Sequence, residues 1–402
     1  MVSRETTAQE RGKPSFAGID FSQTPFIAFW EMTKACALAC RHCRAVAQPK
    51  RNPMELTTEE GIRLLGEIAD MGTPLMVLTG GDALMRPDLL EFIKYGNDRG
   101  MRVSLAPSAT RLVTPEIMGK AKDAGLARAS ISVDGSTAEI HDAFRRTPGS
   151  FDRTISAIKA VGEAGVSLQI NTSVSRYNIS DLNNMVDFVV KCKAVMWDVF
   201  FIVPTGRGQR EDMITPQQHE EVFNWLYDLT KQVGFDIKTT AAEHYRRVTL
   251  QRRKAEAVEN QAKRPETVTP GFQHGDSIGR ASKGVNDGNG CCFISHIGEV
   301  YPSGFLPLVA GNVRRQSLTE IYRKSPLFLE LRDTTRIKGK CGRCEYKNIC
   351  GGSRARAYGV TGDRSLIASI NRGVRLNGIR FYRQASVGKI TTGFSSRGKT
   401  VR

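Results

Sequence analysis

Residues 25–43, PFIAFWEMTKACALACRHC, place an apolar run directly before three cysteines. The first part, PFIAFWEMT (25–33), reads as a buried strand: a short continuous apolar segment rich in aromatic and β-branched residues. Cys36, Cys40 and Cys43 then follow at C-x3-C-x2-C spacing on one short loop. Three thiols are informative because structural zinc is normally closed by four ligands. A 4Fe–4S cluster held by three cysteines instead leaves one iron open to an outside ligand. Lys34 and Arg41 lie within the same segment and are expected to lower the thiol pKa values. Zinc completed by a distant fourth ligand is the alternative reading of the three thiols taken alone.

Outward from this loop the chain alternates. PLMVLTGG (74–81), MRVSLAP (101–107), ARASISVDG (127–135), VSLQINTSV (166–174) and VMWDVFFIVP (195–204) read as strands. Between and after them, residues 58–71, 87–99, 114–124, 151–164, 181–192 and 216–233 carry apolar positions at helical spacing, with Thr57 or Thr58 capping the first. Six strand–helix units in succession imply a parallel sheet with helices outside it, either an open doubly wound sheet or a full or partial barrel. In both, chemistry sits at the C-terminal ends of strands. The polar motifs follow that rule: the cysteines come after the first strand, Gly80-Gly81-Asp82 after the second, and Ser132 and Asp134 at the end of the fourth.

The remainder differs in character. Residues 236–290 are expected to be a linker or mobile loop, rich in Gly and charge from 250 onward. From 291, CCFISHIGEVYPSGF reads as a hairpin turning at Ile297-Gly298-Glu299, and 317–333 as a helix started by Ser317 and Glu320. Cys341-x2-Cys344-x5-Cys350-Gly-Gly forms a second thiol cluster, and Cys192 stands alone in an apolar run as a buried inert thiol.

The chain has 402 residues, 40% of them apolar, and 58 Lys+Arg against 41 Asp+Glu for a net charge of +17. That composition excludes a disulfide miniprotein and a low-complexity chain. No apolar run is long enough for a membrane-spanning helix, and the polar leader (1–24) lacks the apolar stretch of a secretory signal. Nine cysteines without such a signal point to thiols in a reducing, cytoplasmic compartment. Residues 364–402 hold seven Arg, two Lys and no acidic residue, and are expected to be a disordered or aberrant basic tail. It holds only three aromatics, Phe381, Tyr382 and Phe394, where base-stacking surfaces interleave aromatics with basic groups. Neither a nucleic-acid nor a membrane partner is expected.

The Cys36/Cys40/Cys43 motif resembles the signature of radical S-adenosylmethionine (radical SAM) enzymes, and the resemblance spans most of 25–235. It implies an α/β fold, a partial (β/α)6 TIM-like barrel. The three cysteines would hold a 4Fe–4S cluster whose open iron binds S-adenosylmethionine. Reductive cleavage would then yield a 5′-deoxyadenosyl radical that abstracts a substrate hydrogen. The resemblance further assigns His42 to the adenine, Gly80, Gly81 and Asp82 to the methionine amino group, and Ser132 and Asp134 to the ribose. Asn171 would be a further polar contact, and PTGRG (204–208) would lie near the adenine. Asp82-Ala83 departs from the family's usual Glu-Pro.

Cys341, Cys344 and Cys350 resemble the C-terminal SPASM or twitch extension of the superfamily, nearest to its heme-pathway and mycofactocin-type branch. Residues 291–363 would then form a small α+β domain with an auxiliary 4Fe–4S cluster. Relatives usually carry a further cysteine that this chain lacks, and Ser303 and Ser353 stand where some have Cys. The fourth ligand is left open between Cys291 or Cys292, a non-cysteine group, and a position lost with an aberrant tail. The resemblance implies an oxidoreductase acting on a tetrapyrrole side chain or a ribosomal peptide, with an electron donor such as flavodoxin or ferredoxin. His141, Arg145, Arg146 and Arg207 are candidates to face the cavity, and none is named as a catalytic acid or base. The competing readings are an iron–sulfur or zinc nucleic-acid-binding protein using the basic arm, and a degenerate family member without turnover.

Overall fold

The computed structural model describes residues 18–259 and 284–363. Seven parallel strands follow in chain order: β1 (Ile27–Glu31), β2 (Leu75–Thr79), β3 (Arg102–Leu105), β4 (Arg128–Ser132), β5 (Ser167–Val174), β6 (Met196–Phe201) and β7 (Asp236–Thr240). Each of the first six is followed by at least one helix, as the alternation predicts. Three more strands, β8 (Cys291–Ile294), β9 (Glu299–Tyr301) and β10 (Gly311–Asn312), extend the same sheet beyond β1, in the order β10-β9-β8-β1-β2-β3-β4-β5-β6-β7. β8 runs parallel to β1, β9 turns back antiparallel to β8, and β10 pairs antiparallel to β9. The fold is a partial TIM-like barrel with a C-terminal extension.

The expected linker over 236–290 therefore begins with a strand and a helix. β7, DIKTT, has one buried apolar residue, Ile237, so neither alternation nor an apolar run marks it. The helix Tyr245–Glu259 is equally unmarked, because charge rather than an apolar stripe attaches it. Arg247 pairs with Glu220, and Arg252 Nη2 lies 2.5 Å from Asp228 Oδ1, both acids on the helix Pro216–Leu229. The rest of that segment, from 260 to 283, lies outside the described residues, as do the leader up to 17 and the basic tail from 364.

The expected helix over 317–333 is two, Leu318–Lys324 and Pro326–Arg332. Pro326 has no N–H to donate, and its ring forces Ser325 out of the helical region, to ψ 129°. The hairpin turn falls where expected, with Gly298 at φ +84°.

One core spans both parts of the chain. Trp30 and Phe92 meet edge to face at 4.9 Å under the first helices. Cys292, Ile294, Leu318, Ile321, Tyr322 and Phe328 belong to that same apolar cluster. The end of the leader is also docked: the Tyr322 hydroxyl donates to the Phe21 carbonyl at 2.7 Å, and Arg332 Nη1 to the Ser22 carbonyl at 3.1 Å. The strands β8 and β9 and the two helices over 318–332 thus join the barrel's core, while Leu306, Leu331 and Ala355 pack with Val203, and Ile337 with Ala357, in smaller clusters. Among the described residues no helix is long and apolar enough to cross a membrane.

Candidate active site

The cysteine loop after β1 is fixed at its base by two short backbone bonds: Cys36 N–H to Gln48 O at 2.8 Å and Gln48 N–H to Lys34 O at 2.9 Å. The loop after β2 lies against it. Gly81 N–H donates to Thr33 O and Asp82 N–H to Ala35 O, both at 2.7 Å. A Cβ on Gly81 would stand 2.4 Å from Ala35 O and 2.6 Å from Lys34 O, and one on Gly80 would stand 2.7 Å from Thr33 O. These glycines are required by the cysteine loop itself, whose carbonyls press on them. From the other side comes the loop after β6, where Gly206, at φ +59°, packs on the carbonyls of Cys43 and Arg44.

So held, Cys36, Cys40 and Cys43 line one cavity at the C-terminal ends of the strands, together with His42, Gly80, Gly81 and Ser132. Cys36 and Cys40 are buried and Cys43 is half-buried. Cys36 Sγ lies 3.3 Å from Ser108 Oγ and accepts the Leu38 N–H at 3.4 Å. Burial nevertheless pushes the Cys36 thiol up, the Ser108 contact opposing it. The cation beside the thiols is not the one expected from sequence. Arg41 is drawn away, 3.4 Å from Asp212 and over the Tyr177 ring at 4.4 Å. Arg145 takes that place, with Nη1 3.7 Å from Cys40 Sγ.

Asp134 organises this side of the cavity from behind. It is fully buried, and Oδ2 accepts from Arg145 Nε at 2.7 Å and lies 3.6 Å from His42 Nε2. Oδ1 accepts the Ser173 N–H at 2.8 Å. Burial works to raise its pKa, but Arg145 foremost among the neighbours holds it below the ordinary carboxylate value. His42 stacks on Phe144, centroids 4.5 Å apart and planes 10° from parallel. Burial lowers its pKa to about 4, so the imidazole is neutral at pH 7. His141 is likewise lowered to about 4, chiefly by burial, and its Nδ1 accepts the Asp134 N–H at 3.3 Å.

Two further residues expected at the ligand, Asp82 and Asn171, do not line the cavity. Asp82 is buried, and its carboxylate is committed to the Thr110 hydroxyl at 2.7 Å and the Leu84 N–H at 3.2 Å. Asn171 lies deeper along β5, where its Oδ1 accepts from Gln169 Nε2 at 2.8 Å. The strand's alternation brings Ser173, two residues on, to the cavity instead. Sequence reading also missed Ser108, Arg44, Phe200 and Phe305 as cavity residues. Ser108 follows the end of β3 and was findable from the strand-end rule; Phe305, remote in sequence, was not.

The residues fit a cluster and a small polar cofactor. Three thiols from one loop face the cavity beside buried polar atoms that have no partner among the described residues, His42 Nδ1 and Arg207 Nε and Nη2. Among the described residues no three His, Cys, Asp or Glu side chains gather closely enough for a single metal ion. That arrangement disfavours zinc, whereas in a multi-iron cluster each thiolate binds its own iron.

The second thiol group is built differently. Cys341 lies on the short helix Gly339–Gly342 and Cys350 ends the helix Lys347–Cys350, with Cys344 between them. Cys341 and Cys344 are half-buried, and burial pushes the Cys350 thiol up to about 12. The Cys350 carbonyl accepts from Asn286 Nδ2 at 3.3 Å. Cys291, a candidate fourth ligand, spends its thiol on the carbonyls of Asn286 and Pro302, at 3.2 and 3.3 Å. Cys292 faces the opposite way, into the main core. Around Cys350 gather Glu243, held above its ordinary pKa by burial and by Asp287, and the buried Ser353, whose Oγ has no partner among the described residues. Cys192, expected to be buried, is half-buried, and burial raises its thiol to about 11.

Residues 30–189 match the model of the radical SAM superfamily, and residues 286–345 match SPASM, an iron–sulfur cluster-binding domain. The chain is 41% identical over 345 residues to an AdoMet-dependent heme synthase of Methanosarcina barkeri, covering 86% of this chain and 95% of that protein. It is 28% identical over 346 residues to mycofactocin maturase MftC of Mycobacterium tuberculosis, covering 84% and 80%. Among solved structures, Streptococcus suis SuiB bound to its precursor peptide SuiA superposes with a TM-score of 0.64 at 16% identity, over 87% of this chain and 76% of that one.

Proposed function

From the premise that this chain belongs to the radical SAM superfamily, as an enzyme using S-adenosylmethionine, a 4Fe–4S cluster and an auxiliary cluster, we propose that it oxidatively decarboxylates tetrapyrrole propionates. The observation that carries this reading is the end-to-end likeness, at 41–42% identity, to three proteins named AdoMet-dependent heme synthase. Likeness to the Fe-coproporphyrin III synthase and to the mycofactocin maturases is only 27–28%. Heme carries vinyl groups where coproporphyrin carries two further propionates. Removing one hydrogen atom and one electron from such a propionate releases CO2 and leaves a vinyl group.

When bound, the barrel cluster with S-adenosylmethionine supplies the hydrogen-abstracting radical, and the auxiliary cluster an acceptor for the electron. In this reading Cys36, Cys40 and Cys43 hold the barrel cluster, and Cys341, Cys344 and Cys350 three positions of the auxiliary one. Arg145 and the Leu38 N–H offset the thiolate charge of the barrel site. Gly80, Gly81, Ser132, Ser173 and His42 frame the cofactor, with neutral His42 kept in place by Phe144 and Asp134. Asp82, Asp134 and Asn171 act behind them as supports. Phe200, Ile202, Val203 and Phe305 supply apolar walls that exclude water from a reactive intermediate. An electron donor of the flavodoxin or ferredoxin kind and a cytoplasmic setting complete the proposal, the latter supported by nine free cysteines.

The test is anaerobic turnover of the reconstituted protein with Fe-coproporphyrin III, S-adenosylmethionine and a strong reductant, followed by mass spectrometry. Heme and 5′-deoxyadenosine are expected. 5′-Deoxyadenosine with an unchanged porphyrin would remove the substrate from this proposal and bring peptide substrates forward.

A further inference from the structure

Three arginines line the barrel cavity, and two of them are spoken for. Arg44 Nη2 lies 2.7 Å from Glu31 Oε2, and Arg145 Nε lies 2.7 Å from Asp134 Oδ2. Arg207 has no ion pair among the described residues, and its Nε and Nη2 are buried without an acceptor. A buried donor without an acceptor is costly, and a guanidinium more so than a neutral group. These two nitrogens form the edge of the guanidinium that presents two parallel N–H bonds, the geometry that matches both oxygens of a carboxylate. The backbone beneath is fixed: Arg207 N–H donates to Cys43 O at 3.0 Å, and Gly206 is seated on the same loop. Phe200, Ile202, Val203 and Phe305 line the same cavity, so a carboxylate reaching this edge would be carried on a largely apolar or flat body.

We propose that Arg207 is a carboxylate-binding residue of the cavity, taking its ligand through Nε and Nη2. Two ligands of the reaction carry that group: the methionine end of S-adenosylmethionine and a propionate of the tetrapyrrole. Only the second rests on the substrate reading above.

The experiment compares each acid with a counterpart lacking the carboxylate, on anaerobically reconstituted wild type, Arg207→Gln and Arg207→Lys. S-Adenosylmethionine is set against its decarboxylated analogue by equilibrium dialysis. Fe-coproporphyrin III is set against its tetramethyl ester by absorbance titration. In wild type at least one acid is expected to bind about ten- to a hundredfold tighter than its counterpart. Arg207→Gln should lower that ratio about tenfold or more for the same pair, and Arg207→Lys, a point charge without the fork, should keep part of it. Collapse in the S-adenosylmethionine pair assigns Arg207 to the cofactor; collapse in the porphyrin pair assigns it to substrate. Ratios unchanged in both pairs overturn the proposal. If the porphyrin fails to bind wild type, the substrate reading falls and the S-adenosylmethionine pair alone decides on Arg207. If Arg207→Gln loses its iron or its thermal transition, Arg207→Lys is judged in its place, and an unchanged ratio there overturns the proposal equally.

Discussion

The cysteine loop at 36–43 and the one at 341–350 carry three thiols each, yet their surroundings are opposite. The first is clamped between two other strand-end loops, and its thiols line one cavity beside a buried arginine and hydroxyl donors. The second lies on short helical turns, with two thiols half-exposed and the third next to buried acidic and hydroxyl groups. A parallel sheet delivers several rigid loops to one place, so the first site is preorganised. The second has no such convergence, and the nearby Cys291 thiol rests on the carbonyls of Asn286 and Pro302 while Cys292 packs into the main core.

The largest expected effect breaks the comparison outright. Cys36→Ala should lower 5′-deoxyadenosine formation by more than about a hundredfold, since one lost ligand exceeds the 10–100-fold cost of disturbing a ligand's support. Persistent cleavage in that variant would mean that the loop does not hold the catalytic cluster. Cys350→Ala should act only on the second site. Iron should fall from about eight to about four per chain while 5′-deoxyadenosine formation survives and product is lost. Equal loss of both activities would show that the two sites are not separable.

The glycines sharpen the contrast at smaller scale. Gly81→Ala drives a methyl into the carbonyls of Ala35 and Lys34, rigid backbone that cannot yield, and should cost about 1–3 kcal/mol with loss of iron from the barrel. Gly351→Ala meets Asn286 Nδ2 at 2.4 Å, a side-chain end that can shift by giving up its bonds to the Cys350 and Gly352 carbonyls, and should cost about 1–2 kcal/mol at this positive-φ position without loss of iron from the barrel. Denaturant midpoints of the two variants check the order; a reversed order would show the first loop to be the softer one.

The effect of pH is the smallest near neutrality and grows only in acid. His141, beside Asp134, and His219, stacked on Phe201 near Arg356, are both buried, and burial lowers their pKa values to about 4 and about 3. The unfolded chain protonates both near 6.5 while the folded chain does not, so stability falls as pH drops below 6.5. The slope from each should approach about 1.4 kcal/mol per pH unit, down to about pH 4 for His141 and about pH 3 for His219, with no further contribution above 6.5. Replacing either histidine by glutamine should remove its share from a melting-temperature profile between pH 4 and 7. An unaltered profile in both variants would mean that neither imidazole stays neutral in the fold.

The alternation of strands and helices, both cysteine groups and the glycine turn were legible because each rests on local pattern: apolar period, thiol spacing, turn chemistry. β7 and the helix after it escaped because DIKTT holds one buried apolar residue and the helix is fastened by ion pairs to its neighbour, which leave no period. Arg145 was named as a candidate without its role, since only folding sets it between Asp134 and Cys40 while drawing Arg41 to Asp212. Asp82 and Asn171 carried the right chemistry, but Thr110 claims the Asp82 carboxylate, and Asn171 sits one step deeper than Ser173 on the same face of β5, bonded to Gln169.

By itself, then, the sequence determined the superfamily, the parallel barrel and the two thiol groups, because spacing along a chain survives without knowledge of distant contacts. Only the tertiary structure decided that β8, β9 and the helices over 318–332 join the barrel's core, that Asp134 is the hub behind the cavity, and that Arg207 alone among the cavity arginines keeps a buried, unpartnered edge among the described residues. Those facts depend on which side chains meet across gaps from 11 to 301 residues, and packing, not local propensity, selects the meetings.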